Sequence, residues 1–113
     1  MFKFLSRIGF MLALTASLPV AAWADCYDVF GCSNRDYFRT RDLLGGPNCE
    51  FLYEMRNSIY KEHGYCFNTQ RGIQTFGNAG CRFDNVNQVP LSAVERANVS
   101  AIASAERTKR CPR

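Results

Sequence analysis

Apolar residues recur at helical spacing in three stretches of the chain. The strongest stripe has five members: Phe51, Leu52, Met55, Ile59 and Tyr60. It follows Asn48, which is a good N-cap, and it stops at His63-Gly64, where the glycine suits a left-handed C-cap. The pattern therefore predicts a helix over roughly 49–63.

Two further stretches predict helices later in the chain. The segment of about 70–76 follows a Thr69 cap and is short. The segment of roughly 93–108 begins with Ser92 and Glu95, which match a capping box. Its apolar face consists of Leu91, Val94, Ala101, Ile102 and Ala105. Because the two longer helices would bury their stripes against each other, we predict a small, mainly α domain in which they pack antiparallel.

The segments between the helices carry less periodic signal. Residues 25–47 are mixed in character and predict an irregular N-terminal strap, with one possible helical turn capped by Thr40. Residues 77–90 form a long connection rich in Gly and Asn. Connections of this length are uncommon in compact domains unless they are pinned or functional, and we expect Cys81 to pin this one.

Two polar pairs have predicted local roles. Glu106 precedes Arg110 by four residues, a spacing at which opposite charges meet on one helix face. Arg56 and Asn57 lie beside the first long stripe, and we expect them to satisfy backbone groups of the 77–90 connection.

The first 24 residues have the layout of a secretory signal peptide. They start with two basic side chains, Lys3 and Arg7. The apolar run 8–20 is 13 residues long, shorter than the roughly 20 that a membrane-spanning helix needs. Small residues in Ala22-Trp23-Ala24 favour cleavage after Ala24 over a retained anchor. The charged Asp25 disfavours a lipid anchor on Cys26.

Export leaves one small domain, residues 25–113. Loss of Lys3 and Arg7 reduces the 14 basic side chains to 12, against 10 acidic ones, so the net charge falls from +4 to about +2. This balance argues against nucleic acid as a partner. After cleavage we expect no membrane span, and a protein that is periplasmic or secreted.

All six cysteines lie in the exported part: Cys26, Cys32, Cys49, Cys66, Cys81 and Cys111. An even count in a short exported chain predicts three disulfides, and the absence of a Cys-x-x-Cys pair disfavours zinc. Six cysteines allow 15 pairings. Antiparallel long helices favour one of them, which joins Cys26 to Cys32, Cys49 to Cys111 and Cys66 to Cys81.

The segment Asn57-Ser58-Ile59-Tyr60-Lys61-Glu62-His63-Gly64 resembles the YARHG domain, a small bacterial domain of extracellular type. The likeness covers about residues 29–108. Its other matching positions are Ser33, Tyr37, Asp42-Leu43, Phe76, Leu91-Ser92, Glu95-Arg96, Asn98 and Ile102. Lys61 and Glu62 replace the alanine and arginine of the family name, and Gly77–Cys81 replaces aromatic residues. The resemblance implies a cysteine-rich exported branch and implies no catalytic residues.

The candidate chemistry centres on His63, the only histidine. A nucleophile–histidine device needs a serine or cysteine within reach and an orienting acid; every cysteine is assigned to a disulfide, and no serine lies in a nucleophile-elbow pattern. We expect His63 to bond a terminal carbonyl at the helix end. Carboxylates that could hydrolyse a glycan are present, but they fall on helix positions typical of solvated faces. Asn98-Val99-Ser100 matches a glycosylation pattern that we attribute to chance.

The sequence thus favours a non-enzymatic domain with no cofactor, no metal ion and no catalytic residue. We expect it to bind a cell-envelope component or another exported protein. The expected binding surface consists of Tyr60, His63, Tyr65 and Asp84. The alternative is a small envelope hydrolase, or an inhibitor of one, that uses the His63 loop region. The tyrosines could instead belong to the core, as aromatic stripes at helical spacing usually do.

Overall fold

The structure is a computed structural model that describes residues 25–113, so the predicted signal peptide lies outside the described residues. Its elements are, in order, β1 Cys26–Tyr27, β2 Gly31–Cys32, α1 Thr40–Gly45, α2 Cys49–Glu62, α3 Gln70–Phe76, a 3-10 helix Val86–Gln88 and α4 Ala93–Thr108. The predicted mainly helical class is confirmed. In the described residues, no helix has the length and apolar character required to span a bilayer.

The helices α2, α3 and α4 begin where local side chains satisfy their first N–H groups. The predicted N-caps Asn48, Thr69 and Ser92 all accept these bonds. Asn48 accepts the N–H of Phe51 at 2.9 Å. Ser92 accepts the N–H of Glu95, whose side chain accepts the N–H of Ser92 in return, so the predicted capping box is confirmed. These bonds are local, which is why the sequence predicts them.

The core forms where α2 packs against α4 and α1 covers α4. Its buried apolar residues are Phe38, Leu43, Leu52, Met55, Ile59, Tyr65, Phe67, Val89, Leu91, Ile102 and Ala105. Leu52 and Ile102 are fully buried. Burial of each such aliphatic side chain contributes roughly 1.5–3 kcal/mol.

Three disulfides staple this core. Cys49 at the start of α2 joins Cys111 just past the end of α4, with 5.4 Å between the Cα atoms. The two long helices therefore run antiparallel. Cys66–Cys81 encloses α3, and Cys26–Cys32 closes the hairpin of β1 and β2. The structure joins the pairs that antiparallel helices favour, and the described residues include no free cysteine.

The N-terminal strap is more regular than predicted. β1 and β2 pair antiparallel, and α1 begins at Thr40 itself. Thr40 is therefore not its cap. Arg39 occupies the N-cap position and makes no side-chain capping bond. The two-residue strands are too short to show a period in the sequence.

Asn98 of α4 attaches the strap to the helical core. Its side chain accepts the N–H of Phe38 at 2.8 Å and donates to the carbonyls of Ser33 and Asp36 at 2.9 and 2.8 Å. Asn98 is 1 % exposed. This burial explains the asparagine of the glycosylation pattern as a structural residue and leaves no room for a glycan in the folded domain.

The partners predicted for Glu106, and for Arg56 and Asn57, are wrong. Arg56 donates to Glu106 of α4 at 2.5 and 3.1 Å, so Glu106 pairs across the helices rather than with Arg110. Asn57 donates to the carbonyl of Tyr53 within its own helix. Neither Arg56 nor Asn57 bonds the 77–90 connection. Both pairings depend on how the helices face each other, which local spacing does not encode.

The 77–90 connection is held by backbone bonds near its cystine. The carbonyl of Gly64 accepts the N–H groups of Arg82 and Phe83 at 2.7 and 3.0 Å, and Cys66 donates to the carbonyl of Phe83 at 2.7 Å. Lys61 at the end of α2 donates to the carbonyl of Gly77. The connection is thus pinned at several points in addition to Cys81.

Candidate functional site

An open groove of about 890 Å³ lies along one side of the α2–α4 pair. Its walls come from α2, the segment after Gly64 and the C-terminal half of α4 with the residues that follow it. We call it the tyrosine groove and define it by Tyr53, Tyr60, Tyr65, Phe67, Ala103, Glu106, Arg107, Arg110 and Arg113, which are among its lining residues. A volume in this range is typical of ligand pockets.

The floor of the tyrosine groove is aromatic. The ring of Tyr65 packs against Tyr60 and Phe67, with centroids 5.7 and 5.0 Å apart. Tyr65 and Phe67 are buried, whereas Tyr60 is half-buried. Burial raises the pKa of Tyr60. The floor is therefore part of the core, and Tyr60 is the member that a ligand can reach.

The ring of Tyr53 is less accessible than its position in the wall suggests. The guanidinium of Arg71 lies over it at 3.6 Å, a close cation–π contact. Arg71 also pairs with Glu50 at 2.6 Å. The Arg71 side chain thus covers a face of Tyr53.

The rim of the tyrosine groove is basic. Its acidic side chain, Glu106, is neutralised by Arg56 at 2.5 Å. Arg107, Arg110 and Arg113 are exposed, and no salt bridge of the described residues involves them. The rim therefore carries three exposed guanidinium groups that form no salt bridge with another described residue.

Arg110 holds an unusual backbone conformation at this rim. It is the one non-glycine residue with positive φ, at 55°, among the described residues. Arg110 donates to the carbonyl of Arg107 at 3.1 Å, and Cys111 donates to the carbonyl of Glu106 at 2.9 Å. This is the bond pattern of a Schellman motif, in which glycine usually takes the left-handed position.

The predicted residue His63 lies outside the tyrosine groove, at the C-terminal end of α2. Its backbone N–H donates to the carbonyl of Tyr60, and the N–H of Gly64 donates to that of Lys61, but the His63 ring bonds no carbonyl. The ring nitrogen Nε2 instead makes a short contact with a carboxylate oxygen of Glu95. Because Glu95 also belongs to the capping box of α4, His63 links the end of one long helix to the start of the other.

At the helix junction, where His63 of α2 meets Glu95 of α4, the pKa values of two carboxyl groups are shifted in opposite directions. Burial opposes the ionisation of Glu95, but bonds from Ser92 and His63 outweigh it and hold the pKa of Glu95 below its usual value. Burial, with the charges of Asp25 and Glu95, raises the pKa of Glu62 to about 7. Glu62 is thus a partly protonated acid near neutral pH.

Glu62, His63 and Glu95 are the described residues close enough to hold a cation together. Their ligand atoms lie within 4.8 Å of one another. However, the Glu95 carboxylate already bonds the ring of His63 and the N–H of Ser92. The donor set is thus engaged in joining the helices.

The structure brings together only part of the expected binding surface. Tyr60 and Tyr65 line the tyrosine groove, whereas His63 and Asp84 do not. Asp84 is exposed on the 77–90 connection. Sequence reasoning missed the arginines of the rim. The signal available was the basic run Arg107, Lys109 and Arg110 at the end of the predicted helix, where basic side chains also complement the helix dipole.

Comparison with known families decides what the chain is. The model of the YARHG domain matches residues 31–107. The chain belongs to the YARHG domain family. The match includes α1 to α3 and nearly all of α4, so the helical core lies within the family's domain. No match was found among curated proteins or among solved structures.

The YARHG domain is a small domain of extracellular type whose function is unknown. Together with three disulfides, membership suggests an exported protein. The departures at Lys61 and Glu62 have structural uses here: Lys61 bonds the 77–90 connection, and Glu62 belongs to the helix junction.

Proposed function

We propose that this YARHG domain is a non-enzymatic binding domain, cleaved after Ala24 and released to the periplasm or the exterior, that binds another exported protein through the tyrosine groove. The observation that carries the proposal is the groove itself, with an aromatic floor and a basic rim. Aromatic and arginine side chains are the types that dominate protein interfaces.

Rigid support favours a binding role for the groove. The Cys49–Cys111 disulfide and the Arg56–Glu106 ion pair both connect α2 to the C-terminal region of α4, which are its two walls. A wall that does not move costs little conformational entropy when a partner binds.

The geometry at His63 favours structure over hydrolysis, the alternative function. Its ring is engaged by Glu95, and all described cysteines are in disulfides, so no thiol nucleophile is available there. Glu95 belongs to the capping box of α4 and His63 ends α2, so the contact between them has a structural explanation that requires no substrate.

Capture from the native cell envelope tests the proposal. The mature domain is immobilised beside two variants, Ala103→Tyr, which fills the groove, and Ser104→Tyr, which places the same ring on the neighbouring exposed position of α4. We expect Ala103→Tyr to recover about fivefold less of the captured protein, equivalent to about 1 kcal/mol. Ser104→Tyr should recover as much as wild type.

Circular dichroism and thiol titration establish that both variants are folded and oxidised. Equal recovery by wild type, Ala103→Tyr and Ser104→Tyr would remove the tyrosine groove as the binding site. Hydrolysis of envelope material by the wild-type domain, lost in His63→Ala, would replace binding with the enzymatic alternative.

A further inference from the structure

We infer that the tyrosine groove selects an extended acidic polypeptide segment, whose carboxylates pair with Arg107, Arg110 and Arg113 and whose apolar side chains contact Tyr60. The inference rests on the proposed function and adds the chemistry of the ligand. Three separate features of the groove carry it: its charge, the state of its rings and the backbone at Arg110.

The charge of the groove is one-sided. The Glu106 carboxylate is already paired with Arg56, which donates two hydrogen bonds to it at 2.5 and 3.1 Å. The rim guanidiniums of Arg107, Arg110 and Arg113 are exposed. A guanidinium presents a planar set of donors that matches a carboxylate with two parallel bonds. Three such groups along one groove match a ligand with several carboxylates in sequence.

The rings of the groove favour a polypeptide over a carbohydrate. Sugar binding relies on open aromatic faces for stacking. The Arg71 guanidinium covers the Tyr53 ring at 3.6 Å, and the rings of Tyr65 and Phe67 are buried. Tyr60 remains half-buried with its ring beside Tyr65. One partly open ring suits an apolar side chain of a peptide better than a row of sugar rings.

The backbone at Arg110 is costly for an arginine. The left-handed conformation costs a non-glycine residue free energy that glycine does not lose, and such positions concentrate at functional sites. The Schellman bonds to Arg107 and Glu106 require that conformation whatever the side chain. The fold alone would favour glycine at position 110, so the guanidinium there has a use apart from stability.

We therefore expect Arg110→Gly to have opposite effects on stability and on peptide binding. The variant should melt a few degrees higher than wild type, because glycine relieves the left-handed position. It should bind an acidic peptide about fivefold more weakly. If Arg110 had only a structural role, the variant would gain stability and bind the acidic peptide as well as wild type does.

The test uses a fluorescein-labelled nonapeptide of three Glu-Ser-Leu repeats and its Gln-Ser-Leu counterpart, titrated by anisotropy with the oxidised mature domain. We expect binding of the acidic peptide only, weakening with salt. Arg107→Gln should reduce affinity about fivefold. The control Arg41→Gln, on a side chain that is 80 % exposed on α1, should leave it unchanged.

Two results would overturn the inference. One is equal binding of the acidic and Gln-containing peptides; the other is tight binding of an oligogalacturonate, a carboxylated glycan, in place of the peptide. If either occurs while Ala103→Tyr still reduces envelope capture, the ligand class is wrong and the groove remains the site. If Ala103→Tyr captures like wild type, the proposed function fails with it.

Discussion

The attachment of the strap by Asn98 gives a stringent test of the fold. Asn98→Ala removes three hydrogen bonds, at 2.8, 2.9 and 2.8 Å, and leaves the Phe38 N–H and the carbonyls of Ser33 and Asp36 without those partners. Each such bond contributes about 1 kcal/mol, and an unsatisfied buried group costs about 1–3 kcal/mol. We therefore expect a loss of about 3–5 kcal/mol.

That loss is a large share of the roughly 5–15 kcal/mol typical of whole domains. The measurement is urea unfolding followed by far-ultraviolet circular dichroism, since the single tryptophan, Trp23, precedes the proposed cleavage site. Asn57→Ala is the matched control: Asn57 is a buried asparagine that donates one bond, to the carbonyl of Tyr53 at 2.9 Å.

Asn57→Ala should cost about 1 kcal/mol. The amide of Phe38 should also exchange with solvent faster in Asn98→Ala than in Asn57→Ala, because its acceptor is gone. An Asn98→Ala variant no less stable than Asn57→Ala would refute the view that this side chain ties the strap to α4.

Three further predictions concern the cystines and the helix junction. Replacing both Cys49 and Cys111 by serine should lower the free energy of unfolding by about 4 kcal/mol in the chain-entropy model, measured by urea titration; a loss below 1 kcal/mol would contradict this. Ionisation of Glu62 should lower stability as pH rises from about 4.5 to about 7, because its pKa is raised to about 7 in the fold. Glu62→Gln should therefore gain stability over wild type at pH 8 but not at pH 4, and equal melting curves at both values would contradict that. His63→Gln should melt below wild type through its lost contact with Glu95 and still capture partners equally; lost capture by a folded variant would implicate His63 in binding.

The helices were predictable because their signals are local. Asn48, Thr69 and Ser92 each accept an N–H group only three residues away, and the apolar stripes need no knowledge of the partner helix. The two stripes predict that α2 and α4 pack together. The antiparallel direction was a prediction rather than a consequence of the stripes, and it favoured the pairing of Cys49 with Cys111.

Features that depend on how elements meet were not predictable. The Arg56–Glu106 pair spans 50 positions, and the bonds of Asn98 span 60 to 65. A buried asparagine on a helix is indistinguishable, in one sequence, from a solvated one.

The candidate site was only half predicted for the same reason. Tyr60 and Tyr65 could be grouped because they flank one helix end. The rim arginines lie at or just after the end of α4, more than 40 positions later in the chain. They come close to the tyrosines only because α4 folds back along α2. His63 was correctly placed at a helix end, but its carboxylate partner belongs to the other helix.

Chemical-shift mapping with the ¹⁵N-labelled, oxidised mature domain tests the central claim most directly. The labelled domain is titrated with solubilised envelope protein, and the amides that shift or broaden are located on the fold. Our account predicts effects at the tyrosine groove, with Tyr60, Arg107 and Arg110 among them. Effects confined to His63 and Glu95, with the groove unchanged, would contradict it.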